Sequence, residues 1–251
     1  MRKNIDWVIC AAGEGERFSN LGLKTPKPLL KLMGYTMLER SLFSLDIIKG
    51  DQLIIITQKK HKVKKHLSSK IKNLFPWVKI IWVELAYLTT GQLSTVLTAK
   101  KYFNPKSAIA IFNCDTFFKA NTLNSMLSDK SIDAIVPCGK FKGTSWSFFK
   151  IDRNFNLIKA TEKIKISPWA SVGLYYFKNQ SLFLKIANRC LCSPLPPGFL
   201  EYYVSILYGE YLKKNSVIKI CSVELFLPFG TMEQVTEYWD INRRQFIKDN
   251  S

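Results

Sequence analysis

Two permanent cations, Arg17 and Lys27, follow a small-residue loop, Ala11-Ala12-Gly13-Glu14-Gly15-Glu16, that itself follows an apolar run at 5–10. Backbone N–H groups of such a loop can surround phosphate oxygens. Two cations at its exit suit a triphosphate, on whose oxygens charge builds during transfer. The loop has neither the Gly-Lys-Ser/Thr of a P-loop nor the third glycine of a dinucleotide fingerprint. Taken alone, Gly-x-Gly is also an ordinary tight turn. A third chemical group is Asp115, which closes the apolar run 107–112 within Asn113-Cys114-Asp115-Thr116. It reads either as a Mg²⁺ ligand acting with substrate phosphates or as the N-cap of a helix beginning near Lys119.

Positioning these residues requires an alternating framework. Apolar runs at 5–10, 52–57, 78–84, 107–112 and 133–138 read as strands. Helical spacing at 36–48, 59–74, 92–102 and 120–127 falls between them. This order predicts an α/β fold with a mostly parallel, Rossmann-like sheet, right-handed crossovers and flanking helices. The period then changes. Runs at 146–152 and 157–163 flank Arg153-Asn154-Phe155-Asn156 as a hairpin, and 171–177 is a further strand. Residues 183–189, 200–213 and 232–246 read as helices, 217–221 and 223–227 as strands, and 192–198 as a Pro-rich loop. The expectation is one domain over 1–251, with a nucleotide-binding half at 1–140 and a mixed, partly antiparallel acceptor-binding half at 141–251. Ligands of open α/β sheets bind at the carboxyl ends of strands. The glycine loop, the segment from Tyr87 to Leu97 and Asn113–Thr116 all fall there.

Composition narrows the class. The chain has 251 residues, 47% of them hydrophobic, with 37 Lys and Arg against 19 Asp and Glu. That is enough for a full core, and no apolar run reaches the ~20 residues of a bilayer span. Met1-Arg2-Lys3-Asn4 resembles the start of a signal peptide, but Asp6 interrupts the apolar run behind it, so that run reads as a first strand. The net charge of +18 invites a nucleic-acid reading. No helix-turn-helix, zinc module or ribonucleoprotein motif supports it, and positive potential also steers anionic small substrates. The six cysteines include Cys190-x-Cys192, which is not a zinc spacing. Reduced, structural cysteines and a cytoplasmic location are the expectation, with no nucleic-acid partner and no membrane insertion. The oligomeric state is not legible.

Gly13, Gly15 and Arg17, then Pro26-Lys27-Pro28, Thr90-Gly91-Gln92 and Asn113-Cys114-Asp115 recur in a known order. Glu162-Lys163, Ala170-Ser171-Val172-Gly173-Leu174-Tyr175 and Phe229-Gly230-Thr231 continue it. This resembles the sugar-phosphate nucleotidylyltransferases with a glycosyltransferase-A-like fold, of the type found in capsule, lipopolysaccharide and other surface-polysaccharide pathways. The resemblance implies Mg²⁺-dependent transfer of a nucleoside monophosphate from an NTP to a phosphorylated acceptor, foremost a sugar 1-phosphate, with release of pyrophosphate. It implies that the backbone of Ala11, Ala12, Gly13 and Gly15 holds the nucleotide, with Thr90 and Gly91 against its base or ribose. Arg17 would clamp the leaving pyrophosphate and Lys27 the α-phosphate, while Asp115 would hold the metal. Glu162, Lys163 and Gly173 would face the acceptor, with Lys163 on its phosphate. Glu233 is either a second metal carboxylate or a first-turn acid of the last helix. Glu84 stands near the place where uridine- and thymidine-using relatives carry Gln, and as an acceptor-only group it would favour cytosine or guanine. Trp146 either stacks on the acceptor or packs in the core. Glu201, expected at the start of the helix at 200–213, either faces the acceptor or serves that helix. A cytidylyltransferase for phosphocholine and a nucleotide-sugar glycosyltransferase are the alternatives.

Overall fold

The computed structural model describes residues 2–141, 143–195 and 199–251. Three residues of the expected Pro-rich loop, 196–198, lie outside the described residues. Along the first half run β1 (Ile5–Ala11), α1 (Glu16–Ser19), β2 (Lys31–Leu32), β3 (Tyr35–Thr36), α2 (Met37–Leu42), β4 (Gln52–Gln58), α3 (Val63–Leu74), β5 (Lys79–Leu85) and α4 (Gln92–Thr98). Then come β6 (Ala108–Asn113), β7 (Thr116–Lys119), α5 (Leu123–Ser128) and β8 (Ala134–Lys140). The second half holds β9 (Ser147–Ile151), β10 (Leu157–Glu162), β11 (Trp169–Ser171), β12 (Leu174–Phe177), α6 (Gln180–Cys192) and α7 (Ile206–Leu212). It closes with β13 (Ile218–Ser222), β14 (Leu225–Pro228), α8 (Met232–Trp239) and α9 (Arg243–Asn250).

One large sheet runs β10-β9-β11-β8-β12-β6-β1-β4-β5, with β13 also on β8. β5, β4, β1 and β6 pair in parallel. β12 enters antiparallel between β6 and β8. β9 and β10 form the expected antiparallel hairpin. The central parallel strands β1, β4 and β6 are largely apolar and buried because both faces are covered. Ile5, Trp7 and Ile9 of β1 enter one core with Leu53 and Ile55 of β4, while Val8, Ile54 and Ile56 enter the other. A third cluster joins Phe18, Leu30 and Met37 to Phe229, Val235 and Phe246, so α8 and α9 brace the segment that follows the glycine loop.

Several expected boundaries move. The strand expected at 171–177 breaks into β11 and β12 at Gly173, whose φ of 90° leaves the strand region. The helix expected at 232–246 splits at Asp240, which sits in the left-handed region with φ 51°. The helix expected at 36–48 ends at Leu42, and that at 200–213 begins only at Ile206. Strand β7 lies between Asp115 and the expected helix at 120–127, and it pairs antiparallel with β14, near the strand expected at 223–227. Among the described residues no helix is long and apolar enough to cross a membrane.

Candidate active site

The carboxyl ends of β1 and β6 open into a cleft of about 860 Å³, a size that takes a nucleotide-scale ligand. Ala11, Ala12, Gly13, Gly15, Arg17, Lys27 and Asp115 line one end of it. Trp146, Ser147, Glu162, Gly173, Tyr175, Glu201 and Tyr203 line the other.

At the first end, β1 delivers the loop, and Gly15 turns it into α1 with φ 73°. A methyl group at Gly15 would stand 3.1 Å from the Cβ of Lys27, so glycine permits the two segments to touch. Pro26 and Pro28 restrict the backbone on either side of Lys27, which opens a short 3-10 turn, Lys27–Leu29. Its ammonium donates to Asp115 Oδ2 at 2.6 Å. Asp115 caps no helix: strand β7 follows it, and the N-cap of α5 is Thr122. The helix-cap alternative for Asp115 is thereby overturned. Gly230 lies against it, since a methyl there would be 3.0 Å from Asp115 Oδ2 and 3.2 Å from Gln234 Oε1. Gln234 Oε1 accepts from the Gly230 N–H at 2.8 Å. Cys10 and Cys114 also line this end. Burial raises both thiols, that of Cys114 to about 12, so neither ionises near neutral pH to act as a nucleophile.

The two ends meet through polar side chains from the strand tips. Gln92 Nε2 donates to Asn113 Oδ1 at 2.7 Å. The Asn113 N–H donates to the Gly173 carbonyl at 3.1 Å. A side chain at Gly173 would meet Asn113 Nδ2 at 2.7 Å, which is why the strand breaks there on a glycine. Segment 199–205 crosses above: the Tyr202 N–H donates to the Thr90 carbonyl and the Leu93 N–H to the Tyr202 carbonyl, at 3.0 and 2.9 Å. Gly91, with φ 127°, has no space for a Cβ, which would lie 2.6 Å from the Tyr202 nitrogen.

At the hairpin end Glu162 is buried and accepts from the hydroxyls of Ser147 and Ser205. Burial raises its carboxyl above the ordinary range, against the lowering effect of those two hydroxyls and of Lys163. The Tyr175 hydroxyl stands 3.3 Å from Ser147 Oγ. Glu201 lies at a bend in the irregular segment ahead of α7, not in its first turn, and it lines the cleft. Trp146 lines the cleft and also packs on Phe141 and Phe226.

Four expected residues fall outside the cleft lining. Glu84 is exposed on edge strand β5 and faces Lys64 at 4.0 Å. Strand direction carries it toward α3, so the base preference expected from it has no structural footing. Thr90 contributes its carbonyl to the Tyr202 contact. Lys163, in the left-handed region with φ 56°, directs its ammonium to the Tyr203 hydroxyl at 2.6 Å. Glu233 is the first-turn acid of α8, kept low chiefly by a backbone N–H and Thr231, with lesser help from Arg243 and Arg17. Sequence reasoning overlooked Gln92, Asn113, Gln234 and Ser205 as site residues. Asn113 sat in a motif read only for its Asp, and Gln234 one residue beyond the acid that drew attention.

The glycine loop and the two cations, Arg17 and Lys27, stand together at the carboxyl edge of the parallel strands. Residues 7–164 match the MobA-like NTP transferase domain, and the chain belongs to that family. It is similar to the bifunctional protein GlmU of Methanococcus aeolicus, at 26% identity over 216 residues covering 85% of this chain and 48% of that one. The chain thus spans about half the length of that relative. Its fold is similar to the nucleoside-diphosphate-sugar pyrophosphorylase from Vibrio cholerae RC9, with TM-score 0.82, 24% identity and coverage of 93% and 100% of the two chains. It is also similar to the inositol-1-phosphate CTP transferase from T. maritima, with TM-score 0.73, 12% identity and coverage of 99% and 97%.

Proposed function

We propose that the chain transfers a nucleoside monophosphate from an NTP to a phosphorylated acceptor, foremost a sugar 1-phosphate, and releases pyrophosphate. The observation that carries this reading is the convergence of the glycine loop, Arg17, Lys27 and Asp115 at one end of a cleft whose other end is a separate polar and aromatic pocket. The relatives named above, which act on nucleoside diphosphate sugars and inositol 1-phosphate by their descriptions, support it. Residues 1–140 form the nucleotide half and 141–251 the acceptor half of one domain.

An acceptor phosphate oxygen attacks the α-phosphorus, the bond from that phosphorus to the bridging oxygen of the β-phosphate breaks, and the electron pair leaves on pyrophosphate. The attacking oxygen is already anionic, so no general base is needed. The protein aligns two anions and offsets their repulsion. Backbone N–H groups from Ala11 to Gly15 hold the phosphates, Lys27 neutralises charge at the α-phosphate, and Arg17 offsets the charge of the leaving group. Glu162 and Glu201 orient the acceptor.

Asp115 and the carbonyl oxygen of Gln234 are hard donors, and Mg²⁺ favours one or two such groups completed by substrate phosphates. No group of three or more His, Cys, Asp or Glu that could hold a metal occurs among the described residues, so this donor set fits a cation shared with the nucleotide. Bound there, Mg²⁺ would supply charge neutralisation to the phosphates. NTPs and phosphorylated acceptors are cytoplasmic metabolites, which supports a cytoplasmic enzyme.

A specific observation favours a second acceptor class. The hairpin end is lined by Glu162 and Glu201 beside Trp146, Tyr175 and Tyr203, and Lys163, just outside the lining, holds its ammonium on the Tyr203 hydroxyl. Carboxylates and aromatic faces also suit a cationic head, as in phosphocholine. The deciding experiment is a matrix of NTPs against sugar 1-phosphates and phosphocholine, read by pyrophosphate release. The reading requires release that depends on both substrates. Release with no acceptor dependence, or none with any pair, refutes it.

A further inference from the structure

We propose that Gln58 is a positioning residue: it ties the loop at 86–91 to the glycine loop, and so sets how selectively the cleft holds the base of a nucleotide. This rests on the reading of the glycine loop as a nucleotide's phosphate cradle.

The sheet order places β4 between β1 and β5. Neighbouring strands lie about 4.8 Å apart, so the tips of β1 and β5 are separated by about 10 Å and cannot bond to each other directly. Gln58 ends β4 between them and is buried, with 2% of its surface exposed. Its side chain spans the gap. Nε2 donates to the Ala12 carbonyl at 2.9 Å and to the Tyr87 carbonyl at 3.2 Å. Both partners only accept, so the surroundings fix which way the amide points. A carboxylate of the same shape could make neither bond. Gln58 is not among the described residues that line the cleft, so it acts through the segments it joins.

One of those segments is the glycine loop. The other passes from Tyr87 into the cleft, where Leu88, Thr89 and Gly91 form part of the lining. Phosphates held near Arg17 and Lys27 leave the base to a different stretch of the wall. Leu88, 59% exposed, offers an apolar surface there. The loop has anchors further on, from Thr89 to Thr95 and from Thr90 to Tyr202. Gln58 takes hold earlier, at Tyr87, next to Leu88. The glycine loop keeps other supports, the pairing of Ala11 with Thr57 and the contact of Gly15 with Lys27. Loss of the Gln58 amide therefore frees the base side of the cleft more than the phosphate side.

The test is calorimetric binding of the four NTPs and of inorganic triphosphate, with Mg²⁺, to the full chain. It needs no acceptor and no turnover. Gln58→Met, which keeps the length without the N–H groups, and Gln58→Asn, which is too short, are compared with wild type after thermal melts. Both should bind the preferred NTP about tenfold more weakly, as for loss of two neutral hydrogen bonds, and the spread among the four NTPs should narrow. Affinity for inorganic triphosphate should stay within about twofold of wild type, since its contacts lie elsewhere. Leu88→Ala should weaken NTP binding in the same way and add little to Gln58→Met, because residues acting through one contact are not additive. Wild-type NTP affinity and ranking in the folded variants overturns the inference. So does equal weakening of NTP and inorganic triphosphate, or failure of both variants to fold, either of which makes Gln58 a general structural residue. Wild type that binds no NTP removes the nucleotide reading and this inference together.

Discussion

The glycine-loop end and the hairpin end of the cleft differ in construction and in charge. The first is made of short contiguous segments at the tips of parallel strands β1 and β6, and carries Arg17 and Lys27 against Asp115. The second draws Ser147 from β9, Glu162 from β10, Tyr175 from β12, and Glu201 and Ser205 from the segment ahead of α7. Its charged lining is acidic. A triphosphate presents the same oxygens whatever base it carries, so backbone N–H groups and two cations suffice. An acceptor must be told from similar molecules, which takes side chains from several directions. The contrast also explains the connecting pieces. Gln92, Asn113 and Gly173 link the two ends, and the Tyr202 contact with Thr90 and Leu93 ties segment 199–205 to the start of α4.

The largest effects should follow removal of charge from the glycine-loop end. Arg17→Ala, Lys27→Ala and Asp115→Ala should each lower kcat/KM for pyrophosphate release about 10²- to 10³-fold, the usual loss for one preorganised charged group. Retained activity in any of them would remove that residue from the machinery. Next comes the junction. Gly91→Ala places a methyl on the Tyr202 backbone and should destabilise the fold by about 1–3 kcal/mol, lowering kcat/KM for both substrates. A denaturant melt at wild-type midpoint would show that the junction is not tight.

At the hairpin end, Glu162→Gln should raise the acceptor KM about tenfold, as for loss of one charge-assisted hydrogen bond, and leave the NTP KM unchanged. A raised NTP KM would erase the distinction between the ends. The same residue sets a pH trend. Burial raises its carboxyl in the folded chain, so the folded state binds the proton more tightly than the unfolded state does. Its contribution to stability is therefore lost as pH rises from the unfolded value through the raised folded one. The Tm advantage of Glu162→Gln over wild type should grow as pH rises above the ordinary glutamate value of about 4.3, and a constant difference would contradict the buried state. The smallest effect belongs to Glu84→Gln, on an exposed edge strand. It should change stability by less than about 0.5 kcal/mol and leave the ranking of NTPs unaltered. A shifted ranking would return Glu84 to the nucleotide.

Much of the first end was legible because its signals are local. The run from Ile5 into Gly13 and Gly15 announces strand and loop, and an aspartate at the end of an aliphatic strand stands out wherever the strand lies. Glu162 was legible as a motif residue, but not its burial or its bonds to Ser147 and Ser205. Ser205 lies 43 positions away along the chain, and nothing in local spacing joins the two. Glu201 is expected on a helix and instead lines the cleft from a bend ahead of α7. Glu84 and Glu233 drew attention by being acids near motifs. Their strand register and helix turn direct them elsewhere, while Gln234 faces Asp115.

By itself the sequence determined the alternation of strands and helices, the loop that can cradle phosphates and the cations behind it. These depend on apolar period and backbone freedom over a few neighbouring residues. Only the tertiary structure decided that Lys27 rests on Asp115, that Gly173 and Gly91 are points of contact and that Glu162 is buried. Each of these depends on which distant segments the sheet order brings within a few ångströms, and that order is set by the packing of the whole core.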